Sequence, residues 1–156
     1  MSWLRRFVDR FQKKEAGAED DAAALAALEA AYGVQDSDAF EDAWIRVCHL
    51  GRIESHSPLA DLIIRVLRED WHTRHEDLVQ SIHWDRVAGA EEILEYRTEH
   101  FPAYLKRLDN GYALARKCTW ALADIGGARA HRALKRIANR EDPVIAEFAE
   151  KRLRNW

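Results

Sequence analysis

Residues 71–77, Trp-His-Thr-Arg-His-Glu-Asp, are the densest run of chemistry-bearing side chains in this sequence. His72 and His75 stand at i and i+3 with Glu76 beside them, types and a spacing that on one helix face supply part of a zinc or iron ligand set. The same run also has a plain structural use. Thr73 and Glu76 have the spacing of a capping box, Glu76 and Asp77 suit the positive end of a helix, and His75 can bond a neighbouring loop. A third use is recognition, with Trp71, His72, His75 and Glu76 at the edge of a helix pair as anchors for a partner.

Two further groups attract attention. Glu91, Glu92 and Glu95 lie off the apolar stripe of a helix expected over 86–97, where they form either a solvated surface or one wall of an acidic groove. Trp120 lies on the side of its helix opposite Cys118 and Leu122, with Lys117 and Asp124 for neighbours, so it either packs on residues 101–110 or is exposed. The chain offers no Gly-rich phosphate loop, no Ser or Cys nucleophile with a recognisable base, and no CxxC. The expectation is therefore a protein with no catalytic residue, no cofactor and no metal.

Helices must position these groups, because no run alternates like a strand and Ala, Leu, Glu and Arg are abundant. The clearest unit is 111–139, in which Leu114, Cys118, Ala121, Leu122 and Ile125 make one apolar stripe and Ala130, Ala133, Leu134 and Ile137 a second. Gly126-Gly127 breaks the chain between them. At an offset of 40, Leu78, Ile82, Ala90, Ile93 and Leu94 fall on Cys118, Leu122, Ala130, Ala133 and Leu134. At an offset of 31, Ala146, Ala149 and Leu153 fall on Ala115, Cys118 and Leu122, and at 70, Ala60, Ile63, Ile64 and Leu67 fall on Ala130, Ala133, Leu134 and Ile137. Such self-similarity predicts an all-α fold, a short solenoid of about three to four antiparallel helix pairs over residues 1–156. Residues 101–110 read as an insertion from which Phe101, Tyr104 and Leu105 tuck back.

Upstream, Asp20 or Asp21 caps a helix whose stripe is Ala24, Leu25, Leu28, Ala31 and Tyr32, ending at Gly33. Ser37-Asp38 starts another that stops at Gly51. Ser57-Pro58 starts a third carrying Leu59, Leu62, Ile63, Val66 and Leu67. Asp142-Pro143 starts the last helix. Residues 1–16 hold a basic amphipathic helix with Trp3, Leu4, Phe7, Val8 and Phe11 on one face, read as a cap on the fold, with membrane or partner docking as the alternatives. The thiols Cys48 and Cys118 sit in apolar stripes and read as small buried hydrophobes, which fits a reducing cytoplasmic setting. No apolar run reaches the length of a membrane span, and charges interrupt the N-terminus where a signal peptide would be apolar.

Net charge is −3 overall, yet residues 15–127 carry 22 Asp/Glu against 11 Lys/Arg between two mildly basic ends. That argues against a nucleic-acid groove, which needs basic neutralisation, and for attraction to a basic protein partner.

The pattern ALADIGGARAHRAL at 121–134 resembles a HEAT repeat of the bacterial, bilin-lyase-like kind. His75-Glu76 is similar to the His-Glu dipeptides of HEAT-repeat deoxyhypusine hydroxylases, but that family needs four of them from different repeats. Here Glu99-His100 is reversed and Ala115-Arg116 stands at the equivalent place. Trp120 with an aspartate resembles alkylpurine-type DNA glycosylases, which set such residues in a strongly basic groove that this sequence lacks. The wider combination WHxxHED followed by ALARKCTWALADIG resembles uncharacterised bacterial HEAT-repeat proteins, some of which look like immunity proteins of polymorphic toxin systems. That resemblance implies a non-catalytic module whose acidity complements a basic, nuclease-type toxin, with Trp71, His72, His75, Glu76, Glu91, Glu92 and Glu95 as the partner surface. An enzyme or accessory related to bilin lyases or metal-dependent hydroxylases is the alternative from another class, and a peripheral membrane scaffold a third.

Overall fold

In the computed structural model residues 18–156 are described, and the regular structure among them is helical throughout. The amphipathic helix expected within 1–16 lies outside the described residues. Nine helices are described: α1 (Ala18–Val34), α2 (Ser37–Leu50), α3 (Pro58–Arg68), α4 (His75–Asp85), α5 (Glu91–Tyr96), α6 (Ala103–Asp109), α7 (Tyr112–Ile125), α8 (Gly127–Ala138) and α9 (Pro143–Leu153). None of the described helices is long and apolar enough to cross a membrane. The chain divides into two compact units, the first running to Ile53 and including Trp71–Thr73, the second comprising Glu54–Asp70 and Arg74–Trp156.

The first unit is built on the α1–α2 hairpin. α1 does not begin at Asp20 or stop at Gly33: it starts at Ala18 and runs on to Val34. A single glycine in an alanine-rich helix costs about 1 kcal/mol, too little to end it. The stop comes at Gln35, which takes φ 54°. α2 starts at Ser37 and ends on Gly51, as its sequence suggests, and Asp36 caps it, its Oδ1 accepting from the N–H groups of Asp38 (3.1 Å) and Ala39 (3.0 Å). Leu28, Phe40, Ala43, Trp44 and Val47 form the unit's buried core.

In the second unit, Ser57 Oγ accepts from Ala60 N–H at 3.1 Å with Pro58 in the first turn, as its sequence signature requires. α9 starts the same way on Asp142 and Pro143. α4 departs from expectation. Its N-cap is Arg74 with no side-chain cap bond, and Thr73 belongs to the first unit, so no capping box forms. Its positive end is instead met by Glu76 and Asp77 in the first turn.

The helix expected over 86–97 is shortened to α5, because Arg86 turns left-handed (φ 52°) and ends α4, and residues 87–90 form a turn with Val87 and Ala90 buried. Residues 101–110 contain the short helix α6, and Leu105 is buried. Phe101 lies so close to Gly111 (φ 79°) that a Cβ there would come within 2.3 Å of its ring. α7 is capped at a distance, with Asp109 accepting from Gly111 N–H (3.0 Å) and Ala113 N–H (2.8 Å).

Within this unit α4 packs on α7 and α7 on α9, while α3 packs on α5 and α5 on α8. The ten residues related by the offset of 40 are all at most 1% exposed. Of the four pairs at the offset of 70, Ala60 with Ala130, Ile63 with Ala133 and Leu67 with Ile137 are buried on both sides, and only Ile64 is not. Both cysteines are free, and burial pushes the Cys118 thiol well above its ordinary value.

Candidate functional site

The WHTRHED run is divided between the two units, Trp71 to Thr73 in the first and Arg74 to Asp77 in the second. Trp71 and His72 join the aromatic core of the first, where Phe40 lies edge-on to Trp71 (ring centroids 5.6 Å apart), close to His72 (5.4 Å) and parallel to Trp44 (6.4 Å). Tyr32 flanks Trp71 at 6.3 Å. His72 is 1% exposed and Trp71 half-buried, with the indole N–H sequestered and lacking an acceptor among the described residues. The two histidines expected at a partner-facing edge are thus interior groups.

His75, 0% exposed, belongs to the second unit. Its Nε2 lies 2.7 Å from the Glu69 carbonyl and its Nδ1 3.1 Å from the Tyr104 hydroxyl, so Nε2–H donates to the carbonyl and Nδ1 accepts from the phenol. Both ring nitrogens are occupied, and neither is left for a metal. Among the described residues no group of three His, Cys, Asp or Glu side chains is placed to hold one. Desolvation raises Tyr104 to about 12, which keeps the phenol a donor. Glu76, half-buried, pairs with Lys117 at 3.2 Å.

The same corner contains a residue that no sequence motif marked. Arg97 is 1% exposed and donates to four acceptors: Leu67 O (2.6 Å), His100 O (2.8 Å), Asp70 Oδ1 (2.9 Å) and Glu69 O (3.1 Å). It satisfies the carbonyls left open where α3 ends and ties them to the turn after α5.

Glu91, Glu92 and Glu95 do come together, along a groove whose other wall is Arg129, Arg132 and Arg136 of α8, with Ala133 between them. The groove is not acidic in balance. Glu91, 9% exposed, folds back to accept from Gly89 N–H at 3.0 Å. Glu92 reaches Arg68 at 3.3 Å with both side chains well exposed. Glu95 accepts a two-pronged bond from Arg136, Nε to Oε1 at 2.7 Å and Nη2 to Oε2 at 2.6 Å, and this bonding holds the guanidinium above its ordinary pKa. Arg129 and Arg132 are exposed and have no carboxylate partner among the described residues. The uncompensated charge of the groove is positive.

A further cluster surrounds Trp120, which is half-buried under the guanidinium groups of Arg116 (5.3 Å) and Arg152 (5.9 Å). Beside it His83 Nε2–H donates to Asp124 Oδ2 at 2.6 Å, and Gln80 occupies Nδ1 at 3.3 Å. With both nitrogens bonded, His83 joins α4 to α7 and has no free position for proton transfer. One signal could have found these links. His83–Asp124 and Glu95–Arg136 are separated by 41 residues and Thr98–Arg140 by 42, close to the repeat offset of 40. In the first two, complementary polar residues about 40 positions apart face each other across neighbouring helices.

No family model, no curated protein and no solved structure matches this chain.

Proposed function

We propose that the chain is a non-catalytic, cytoplasmic protein-binding module of HEAT-like repeat build that occupies a basic protein. An immunity protein covering the basic active site of a nuclease-type toxin is the particular form proposed. The serial packing of α4, α7 and α9, and of α3, α5 and α8, supports the repeat reading.

One observation carries the acidic-surface reading, and it moves that surface away from the groove. Residues 54–70 and 74–156 contain 17 Asp/Glu and 17 Lys/Arg, whereas residues 18–53 contain eight Asp/Glu against two Arg. On the α1–α2 hairpin Glu29, Asp38 and Asp42 are exposed and carry no ion pair among the described residues. Asp38, Asp42 and Ile45 follow at i, i+4 and i+7 on one face of α2, where Ile45 is 41% exposed. An apolar residue among unpaired carboxylates suits a basic surface with an apolar centre, because paired charges steer the encounter and the apolar contact holds it.

Calorimetric titration against basic nuclease domains of polymorphic toxins tests the reading. The expected result is saturable binding with loss of nuclease activity, weakened at least tenfold, about 1.4 kcal/mol, in the variant Glu29→Lys/Asp38→Lys/Asp42→Lys. Undiminished binding by that variant, or no binding to any such domain, would sink it.

A further inference from the structure

Of the polar clusters in the second unit, the Arg97–His75 corner is buried and fully bonded, and the Trp120–His83 cluster has both imidazole nitrogens occupied. The α5–α8 groove differs in that one wall is satisfied and the other is not. Glu91 is held by its own turn and Glu95 by Arg136, while Glu92 keeps only a solvent-exposed contact with Arg68. Opposite, Arg129 and Arg132 stand one helical turn apart with no acceptor among the described residues. The small side chain of Ala133 lets another chain come close to α8 along this line.

We propose that this groove binds an extended peptide of mixed charge, whose acidic side chains sit on Arg129 and Arg132 while a basic side chain meets Glu92. Two guanidinium groups at i and i+3 present parallel N–H donors to carboxylates about one helical turn apart. The carboxylate wall excludes a simple polyanion, because a nucleic-acid backbone laid on Arg129 and Arg132 would bring its phosphates towards Glu91 and Glu92. A purely basic peptide is excluded by the arginine wall. The site concerns the second unit alone and is independent of the acidic hairpin.

The test is a 15N NMR titration of the full chain with three probes: an octapeptide alternating Glu and Lys, an octalysine, and a ten-nucleotide oligothymidine. The alternating peptide should give saturating shifts confined to 91–95 and 129–136, lost at high salt and weakened at least tenfold in Arg129→Gln/Arg132→Gln. Both arginines are exposed and unpaired, so that variant keeps its fold, and its unperturbed spectrum elsewhere checks this. A second variant, Glu92→Lys, should weaken the alternating peptide and strengthen the oligonucleotide. Absence of saturable shifts with the alternating peptide, shifts mapping elsewhere, equal binding by the double variant, or tighter binding of octalysine or oligothymidine by the wild-type chain would overturn the proposal.

Discussion

Two arginine sites within one unit, Arg97 and the Arg129–Arg132 pair, show how the same residue type acquires opposite roles. Arg97 is 1% exposed with four acceptors around its guanidinium, three of them main-chain carbonyls. Arg129 and Arg132 are exposed, with no acceptor among the described residues. A buried guanidinium without partners would be costly, so its bonds must be complete, whereas an exposed one can be left unpaired at little cost and remains available. Satisfaction therefore marks a structural part, and its absence at the surface marks a place to look for binding.

The largest expected effect tests the buried side. Arg97→Ala leaves the Leu67 and His100 carbonyls without the guanidinium donor and the Glu69 carbonyl with His75 alone, and should lose about 3 kcal/mol or more in urea denaturation. A loss below about 1 kcal/mol would mean that water replaces the guanidinium readily and that the corner is not the clamp described. His75→Ala, at the same corner, should lose about 1–3 kcal/mol, because the Tyr104 hydroxyl loses its imidazole acceptor and the Glu69 carbonyl keeps only its bond from Arg97.

Tyr104 sharpens the comparison through pH. Its folded-state pKa lies near 12, above the ordinary 10, so the folded chain holds this proton more tightly than the unfolded one. The stabilisation is complete below pH 10 and is lost as pH rises from about 10 to about 12. Denaturation series across that window should show a slope that Tyr104→Phe reduces.

Smaller effects belong to the groove. Glu95→Gln breaks a two-pronged pair whose arginine is exposed and whose carboxylate is largely covered, and should lose about 1 kcal/mol, less at high salt. Arg129→Ala and Arg132→Ala should each change stability by no more than about 0.5 kcal/mol. A loss from Arg129→Ala or Arg132→Ala as large as that from Arg97→Ala would erase the distinction.

Much of the second unit was legible because its apolar residues recur with the helix period and again at a sequence offset of 40. Leu78 with Cys118 and Leu94 with Leu134 are all buried, and Ser57-Pro58 and Asp142-Pro143 begin helices where their side chains can cap them. Local chemistry decides such features. The residues at 71–77 were read as one site because they are adjacent in sequence, yet Trp71 and His72 belong to one unit and His75 to the other. Adjacent residues with interiors on either side need share no surface.

Sequence alone determined the helical class, the apolar faces and several caps, because each depends on contacts within a few residues or on a regular period. Only the tertiary structure decided which charges are spent. It set Arg97 among carbonyls more than 25 residues away, closed Glu95 on Arg136 across 41 residues, and left Glu29, Asp38 and Asp42 in one unit and Arg129 and Arg132 in the other without ion-pair partners among the described residues. Charge pairing depends on distances of a few ångströms between residues far apart in the chain, and those distances exist only once the helices have packed.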